Sequence, residues 1–156
     1  MSVENLLDLA RARGVMIATA ESCTGGLIAG AITDVPGSSD VLDRGFVTYS
    51  NAAKTEMLGV APDLIATHGA VSEDVAVAMA EGALQHANVS LAISVTGVAG
   101  PGGTPNKPEG MVCFGLAAKG RPTLSETQLF GAIGRAEVRR ATVHRAIELM
   151  TRALSS

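Results

Sequence analysis

An apolar run, a polar turn that ends in two glycines, and a second apolar run follow one another near the start of this chain. The first run occupies residues 15–19, the turn at 20–26 reads Ala-Glu-Ser-Cys-Thr-Gly-Gly, and the second run occupies residues 27–32. This order predicts a β-strand, a tight turn and an α-helix, and therefore an α/β fold. It also predicts that residues 22–24 lie at a helix N-terminus, beside backbone N–H groups without partners.

The turn offers a nucleophile and its electrostatic partner within a few residues. The Ser22 hydroxyl can attack a carbonyl carbon while the backbone amides from Cys23 to Gly25 stabilise the developing oxyanion. The residues alone leave other interpretations open. Ser22 can simply cap the helix. Cys23 can be the nucleophile, because a helix N-terminus favours the thiolate, or it can be a small packing residue.

The remainder of the chain alternates strands with helices before a late hairpin and a long last helix. Ser2 and Gly14 bracket a first helix. Further strands are predicted at 45–49, 91–96, 111–117 and 123–130, and further helices at 52–58, from Pro62, after Ser72 and at 135–153. We therefore expect one domain, residues 1–156, with an α/β sandwich architecture around a mixed, mainly parallel sheet that ends in an antiparallel hairpin.

Composition argues against several classes of function. The formal net charge of −3 argues against broad nucleic-acid binding, and the 3% aromatic content argues against stacking on single strands. The two cysteines and the widely spaced histidines form neither a disulfide framework nor a zinc pattern. No apolar run is long enough to cross a membrane, and the first residues lack the features of a signal peptide, so we expect a cytoplasmic protein.

A nucleophilic serine needs a base, and Lys54 is the lysine best placed to supply one. The other two lysines are Lys119, in the predicted hairpin turn, and Lys107, in a glycine- and proline-rich loop. Because the carboxyl ends of parallel strands meet at one edge of a sheet, we expect Ser22, Tyr49 and Lys54 in one crevice. The helix dipole and burial both lower a lysine pKa, so a neutral Lys54 amine can accept the Ser22 proton. The Tyr49 hydroxyl can bridge the two groups or orient the amine.

These residues also have purely structural interpretations. Lys54 can be a solvated surface lysine, and Tyr49 can be a half-buried strand residue. His68 lies in a predicted turn and is interpreted as a turn or interface residue rather than as an acid or base. From the local pattern, this trio only suggests a catalytic centre.

A possible anion-binding region follows the buried strand at 91–96. Residues 97–108 form a loop whose consecutive glycine amides can hold a phosphate or a carboxylate, although it matches neither Walker A nor the dinucleotide fingerprint. Arg135 and Arg139 lie four residues apart at the start of the last helix. They can clamp a phosphate or be ordinary surface arginines.

Taken in order, these segments resemble the C-terminal domain family of competence/damage-inducible protein CinA over nearly the whole chain. The matching stretches are residues 20–26, 45–51 with Lys54, 69–73, 96–103, 107–108, and 134–135 with Arg139. The first and fourth of these stretches are the most specific. Characterised members of the family are nicotinamide-nucleotide amidohydrolases.

The resemblance implies a serine amidohydrolase with Ser22, Lys54 and Tyr49 as its catalytic centre. The implied reaction converts nicotinamide mononucleotide (NMN) and water into nicotinate mononucleotide and ammonia, a step of pyridine-nucleotide salvage, without a cofactor or metal. The substrate-binding positions are Cys23, Thr24, Gly25, Thr96, Gly97, Gly100, Gly102, Arg135 and Arg139. A homodimer or higher homo-oligomer is also implied.

The chain departs from the family pattern in one loop. Between Gly100 and Gly110 it is one residue shorter than the usual glycine run, and Glu109 stands where an apolar residue is more usual. The ADP-ribose pyrophosphatase activity linked to the N-terminal domain of longer CinA proteins is not carried over, because the chain resembles only their second half. A noncatalytic nucleotide-binding or regulatory module that retains the fold is the alternative function.

Overall fold

One mixed sheet of five strands organises the molecule, whose computed structural model describes residues 2–155. The strands are β1 (Ile17–Glu21), β2 (Leu42–Val47), β3 (Leu91–Gly97), β4 (Met111–Ala118) and β5 (Leu124–Leu129). Their spatial order is β2-β1-β3-β4-β5. β1 pairs in parallel with β2 and β3, and β4 pairs antiparallel with β3 and β5. Only β4 therefore runs against the others, which confirms the predicted mixed, mainly parallel sheet with a late antiparallel hairpin.

Six α-helices connect and cover these strands. They are α1 (Val3–Arg13), α2 (Leu27–Thr33), α3 (Asn51–Leu58), α4 (Pro62–His68), α5 (Glu73–His86) and α6 (Arg135–Ser155), with one 3₁₀ turn at Ser38–Asp40. The serines before α1, α3 and α5 each accept a hydrogen bond from a backbone N–H of the first helical turn. Gly14 and Gly59 end their helices in the left-handed conformation. These caps confirm the helix boundaries expected from the sequence.

Helices cover both faces of the sheet and bury its central strands β1, β3 and β4, so the architecture is a layered α/β sandwich, as predicted. One apolar core unites α1, α2 and α6 with one face of the sheet, and a second unites α3, α4 and α5 with the other. The predicted core residues Leu6, Leu7 and Ala10 of α1 are all buried. A Cβ at Gly82 of α5 would overlap the Leu58 carbonyl, so this glycine allows α3 to pack directly on α5. That contact fixes the helix that carries Lys54.

Two strands lie a few residues from their predicted positions. β1 was expected at 15–19, but Val15 N–H donates to the Ala10 carbonyl and belongs to the helix end, so the strand begins at Ile17. β2 was expected at 45–49 but occupies Leu42–Val47. Of the helices in the described part of the chain, none is both long and apolar enough to span a membrane.

Candidate active site

A cleft of about 370 Å³ opens at the edge of the sheet where β1, β2 and β3 end. Its walls come from the segments that follow these strands, from α3 and from the start of α6. The lining residues are Ser22, Cys23, Tyr49, Asn51, Lys54, Ala70, Val71, Thr96, Gly97, Val98, Ala99, Gly100, Pro101, Gly102 and Arg135. Its position follows the rule that α/β proteins bind ligands beyond the carboxyl ends of parallel strands.

Ser22 and Lys54 meet at the base of this cleft. Ser22 directly follows β1, and its N–H donates to the Val95 carbonyl of β3, which anchors it to the sheet. Lys54 lies in the first turn of α3, and its Nζ is 3.0 Å from Ser22 Oγ. The structure therefore brings the predicted nucleophile and base within hydrogen-bonding distance.

The environment of Lys54 favours the neutral amine. The side chain is 1% exposed, and this burial lowers its pKa from the ordinary value of 10.5. Its Nζ also donates to the carbonyls of Thr48 (2.9 Å) and Tyr49 (3.4 Å). Within residues 2–155, no carboxylate is bonded to the amine. A lysine held in this way is suited to accept the Ser22 proton.

The turn after β1 differs from its prediction because a buried carboxylate occupies the start of α2. α2 begins at Leu27, beyond the residues 22–24 that were expected at its N-terminus. The Glu21 carboxylate accepts from the N–H groups of Gly26, Ile28 and Ala29. These amides are therefore not available to an oxyanion, and the prediction that the helix N-terminus itself holds the nucleophile is wrong.

The amides before the helix remain available. We call residues 22–25 the nucleophile turn. Gly25 N–H donates to the Ser22 carbonyl, whereas the N–H groups of Cys23 and Thr24 have no acceptor on another residue of the described chain. These two amides are the candidate oxyanion donors. Of the predicted donors at residues 23–25, Gly25 is excluded because its N–H already has an acceptor.

Two predicted binding residues of this turn have structural side chains. The Thr24 hydroxyl is fully buried and donates to Glu21 Oε1 at 2.5 Å. Gly25 supplies the left-handed backbone conformation that closes the turn. Neither residue lines the cleft. The sequence does not single out Glu21 as a site residue, because it lies five to eight residues before the amides that it accepts from, beyond the usual capping range.

Cys23 is poorly suited to act as the nucleophile. Burial raises the pKa of its thiol to about 11, against the opposing effects of its own N–H and of the Arg139 and Lys54 charges. The protonated thiol therefore dominates at neutral pH, whereas the thiolate is the reactive form. Cys23 packs in the apolar core beneath the turn.

Tyr49 lies in the cleft, but its hydroxyl does not contact the amine as predicted. The side chain is 61% exposed, and its hydroxyl accepts from Arg135 Nη2 at 2.8 Å. Arg135 Nη1 also donates to the Gly100 carbonyl at 2.6 Å. Arg135 thus links the two rims of the cleft, and only the Tyr49 main chain touches Lys54.

The two arginines of the predicted clamp have different surroundings. Arg135 faces the cleft, whereas Arg139 lies outside it. Arg139 Nε donates to the Cys23 carbonyl and Nη2 to the Thr24 carbonyl, both at 3.2 Å. The structure therefore does not bring the two guanidinium groups together as a pair facing one anion.

Residues 97–110, here called the glycine loop, form the outer wall. Lys107 Nζ ties the loop to the connection before α5 by donating to the carbonyls of His68 (3.2 Å) and Val71. Glu109 accepts from Gly102 N–H at 2.7 Å, so that predicted phosphate donor already has a partner. Thr96, just before the loop, is buried and donates its hydroxyl to the Ala70 carbonyl, so it braces the wall.

The glycines of the loop allow close backbone packing. A Cβ at Gly97 would lie 2.7 Å from a Val112 methyl, and one at Gly100 would lie 2.5 Å from the Glu109 carboxyl carbon. Gly100 also adopts a positive φ of 95°. These glycines are therefore required for the shape of the wall.

Sequence relatives and solved structures agree in identifying what the chain is similar to. A family model described as "CinA C-terminal domain" matches residues 2–154. A "CinA-like protein" of Chlorobium phaeobacteroides is 58% identical over 134 residues, which are 83% of this chain and 32% of that protein. Another from Mycolicibacterium gilvum is 54% identical over 144 residues, which are 91% of this chain and 34% of that protein.

Solved structures share the whole fold. The competence/damage inducible protein CihA from Agrobacterium tumefaciens has a TM-score of 0.90 and 48% identity, covering 97% of this chain and 96% of that chain. A competence or damage-inducible protein from Enterobacter asburiae has a TM-score of 0.92 and 31% identity, covering 97% and 95%. The chain spans about a quarter to a third of the length of the curated relatives that it matches.

Proposed function

The chain belongs to the CinA C-terminal domain family, and on that premise we propose that it is a serine amidohydrolase acting on NMN. The observation that supports this most is the 3.0 Å contact between Ser22 Oγ and the buried Lys54 Nζ. A buried lysine without a carboxylate partner has little structural value, because burial disfavours its charge. Next to a hydroxyl at the base of a cleft, however, such a lysine can accept the hydroxyl proton and so activate a nucleophile.

The proposed reaction proceeds through a covalent ester. Ser22 Oγ bonds to the carboxamide carbon of NMN while its proton passes to the Lys54 amine. That proton then moves to the departing nitrogen, the C–N bond breaks, and ammonia leaves. A water molecule next attacks the ester and gives a proton to Lys54, which returns it to Ser22 Oγ as nicotinate mononucleotide is released.

The two free amides of the nucleophile turn stabilise the oxyanion in this proposal. Cys23 and Thr24 N–H groups follow the nucleophile directly, and the carbonyl oxygen becomes negative in the tetrahedral intermediate. Residues 23 and 24 therefore act through their backbone, and their side chains are structural. Lys54 is held for its role by the carbonyls of Thr48 and Tyr49.

The remainder of the cleft is proposed to bind the nucleotide part of NMN. Arg135 has a guanidinium group at the rim and only neutral hydrogen-bond partners there, so a phosphate can replace them with a charge-assisted contact. Tyr49 contributes its hydroxyl at the same rim. The reaction needs no metal or cofactor in this account. Its proposed role is pyridine-nucleotide salvage in the cytoplasm, and a homodimer or higher homo-oligomer stays a prediction.

Ammonia release from purified protein given NMN tests the proposal, with Lys54→Met as the control and thermal unfolding in the presence of NMN measured in parallel. Release that is lost in Lys54→Met supports the amidohydrolase. If NMN raises the unfolding temperature while no ammonia forms, the enzyme assignment fails and the noncatalytic binding module takes its place.

A further inference from the structure

Arg139 is a charged residue that contacts the nucleophile turn from outside the cleft. It lies one helical turn after Arg135 on α6 and is half-buried. Nε donates to the Cys23 carbonyl and Nη2 to the Thr24 carbonyl, both at 3.2 Å. These carbonyls belong to the Cys23–Thr24 and Thr24–Gly25 peptide units, the second and third units after the candidate nucleophile. A guanidinium group bound in this forked way restricts both carbonyl directions.

The peptide unit between Cys23 and Thr24 joins this contact to the proposed chemistry. Because a trans peptide unit is planar, fixing the Cys23 carbonyl also fixes the Thr24 N–H, which points to the opposite side. That N–H has no acceptor on another residue in the described range. The positive guanidinium group that donates to the carbonyl also polarises the peptide unit, which makes the N–H of that unit a stronger donor.

The next unit in the turn is fixed as well. The Thr24 carbonyl belongs to the same peptide unit as the Gly25 N–H, which donates to the Ser22 carbonyl. Arg139 therefore supports the turn through two consecutive units, while the Glu21 carboxylate holds the amides that follow. A buried carboxylate and a guanidinium group thus both hold this segment, the first through N–H groups and the second through carbonyls.

We infer that Arg139 is a positioning residue that sets the Cys23–Thr24 peptide unit as an oxyanion donor for Ser22. The inference rests on the proposed function and names a part of the same site. In this role Arg139 helps to stabilise the transition state through the turn and does not bind the phosphate of the substrate. Loss of its side chain is therefore expected to lower kcat and leave KM nearly unchanged, since the interaction develops only as the oxyanion forms.

The test measures how fast an alkyl fluorophosphonate labels Ser22. In that reaction Ser22 Oγ bonds to phosphorus, fluoride leaves, and the serine proton passes to Lys54, so the same oxyanion donors are used without NMN. Labelling is followed by intact mass for wild type and for the variants Arg139→Ala, Arg139→Lys and Arg140→Ala. Arg140 is the matched control, because it is exposed and pairs with Glu137 on the same helix.

We expect Arg139→Ala to be labelled about 10- to 100-fold more slowly than wild type, which is less than the roughly 10²- to 10³-fold cost of losing an oxyanion donor, because the N–H remains but is no longer held in place. Arg139→Lys should be intermediate, because an ammonium group cannot reach both carbonyls in a fork. Arg140→Ala should be labelled at the wild-type rate. With NMN, the Arg139→Ala defect should appear in kcat and not in KM.

Added guanidinium distinguishes positioning from a general loss of structure. Arg139 lines a groove of about 730 Å³ between α2 and α6, so small cations can reach the vacated site from outside the cleft. At concentrations far below those that unfold proteins, guanidinium should accelerate the labelling of Arg139→Ala and not that of Arg140→Ala. Wild-type labelling rates in Arg139→Ala, or slow labelling that guanidinium does not restore, would overturn the inference.

The same experiment separates this inference from the proposed substrate. If wild-type protein is labelled at Ser22 but releases no ammonia from NMN, the NMN assignment fails while the variant rates still decide the role of Arg139. If wild-type Ser22 is not labelled at all, the serine is not activated, and both proposals fall together.

Discussion

The nucleophile turn and the glycine loop border the same cleft but are built in opposite ways. Ser22, Cys23 and Thr24 of the turn are buried, and charged side chains hold this segment: Arg139 binds two carbonyls of the turn, and Glu21 accepts from the amides that follow it. The loop is largely exposed, and the side chains of Lys107, Glu109 and Arg135 hold it at a few points. The groups proposed to perform the chemistry are therefore more buried than the groups proposed to recognise the substrate, and charged side chains hold them.

Substitutions in the two regions are therefore expected to change different kinetic parameters. Changes in or under the turn are expected to act on kcat, because they alter groups that the proposal places at the reacting atoms. Changes in the loop and at the rim are expected to act on KM, because they alter binding that persists through the reaction. Five substitutions or conditions test that division.

The largest effect is expected from Lys54→Met. The variant removes the base and keeps most of the buried aliphatic volume, so the protein should remain folded. We expect kcat for NMN to fall by about 10⁴-fold or more, as when one member of a catalytic unit is removed. Steady-state ammonia release and far-UV circular dichroism measure the two properties. A folded variant that retains a tenth of wild-type kcat would show that Lys54 is not the base.

The pH dependence of the rate follows from the protonation of Lys54. Only the neutral amine accepts a proton, and burial lowers the Lys54 pKa below 10.5. The kcat/KM for NMN should therefore rise about tenfold per pH unit below that pKa and level off above it. Lys107→Met should show the same profile, because Lys107 lies outside the cleft. A kcat/KM that falls as the pH rises through neutrality would contradict the predicted direction of this dependence.

Arg135→Ala tests recognition at the rim. Removing a charged hydrogen-bond donor to a phosphate typically costs about 1.5–3 kcal/mol, so KM should rise about ten- to a hundredfold. The rate of Ser22 labelling by a fluorophosphonate should not change, since the turn is untouched. Initial rates over a range of NMN concentrations measure KM. A fall in kcat with KM unchanged would show instead that Arg135 takes part in the reaction itself.

Lys107→Met tests the glycine loop itself. Lys107 donates to the carbonyls of His68 and Val71, and the loop loses this connection in the variant. A local loosening worth about 1 kcal/mol should raise KM about three- to tenfold and leave kcat unchanged. Lys119→Met, in the exposed hairpin turn, is the matched control. Equal KM values for the two variants would show that the connection does not support binding.

Tyr49→Phe should have the smallest effect. Lys54 is bound by the Tyr49 carbonyl, which phenylalanine retains, and only the hydroxyl contact with Arg135 is lost. We expect KM to rise only about two- to fivefold, because the lost hydrogen bond is exposed to solvent and Arg135 keeps its contact with the Gly100 carbonyl. A loss of kcat approaching that of Lys54→Met would instead show that the hydroxyl takes part in the reaction, as the family resemblance implies.

Local signals in the sequence predicted much of this structure. The serine caps and closing glycines of α1 and α3 lie where expected, because capping depends on residues within one helical turn. The meeting of Ser22 and Lys54 was predictable from strand order alone, because both residues follow parallel neighbouring strands. The last helix also begins at the predicted Arg135.

Contacts between distant segments could not be predicted in this way. Nothing local indicates that Arg139 binds carbonyls 115 and 116 residues earlier in the chain. The same holds for the Tyr49 hydroxyl, which contacts Arg135 across the cleft instead of the nearby Lys54. The Glu21 carboxylate caps α2 from five to eight residues away, beyond the range of the usual capping pattern.

The most direct test of the central claim compares Ser22→Ala with Cys23→Ala in ammonia release from NMN. The two neighbouring residues lie in one turn, but only Ser22 contacts the Lys54 amine, while burial raises the pKa of the Cys23 thiol to about 11. We predict that Ser22→Ala releases no ammonia above background and that Cys23→Ala retains activity near that of wild type. Activity that survives in Ser22→Ala and is lost in Cys23→Ala would contradict the account.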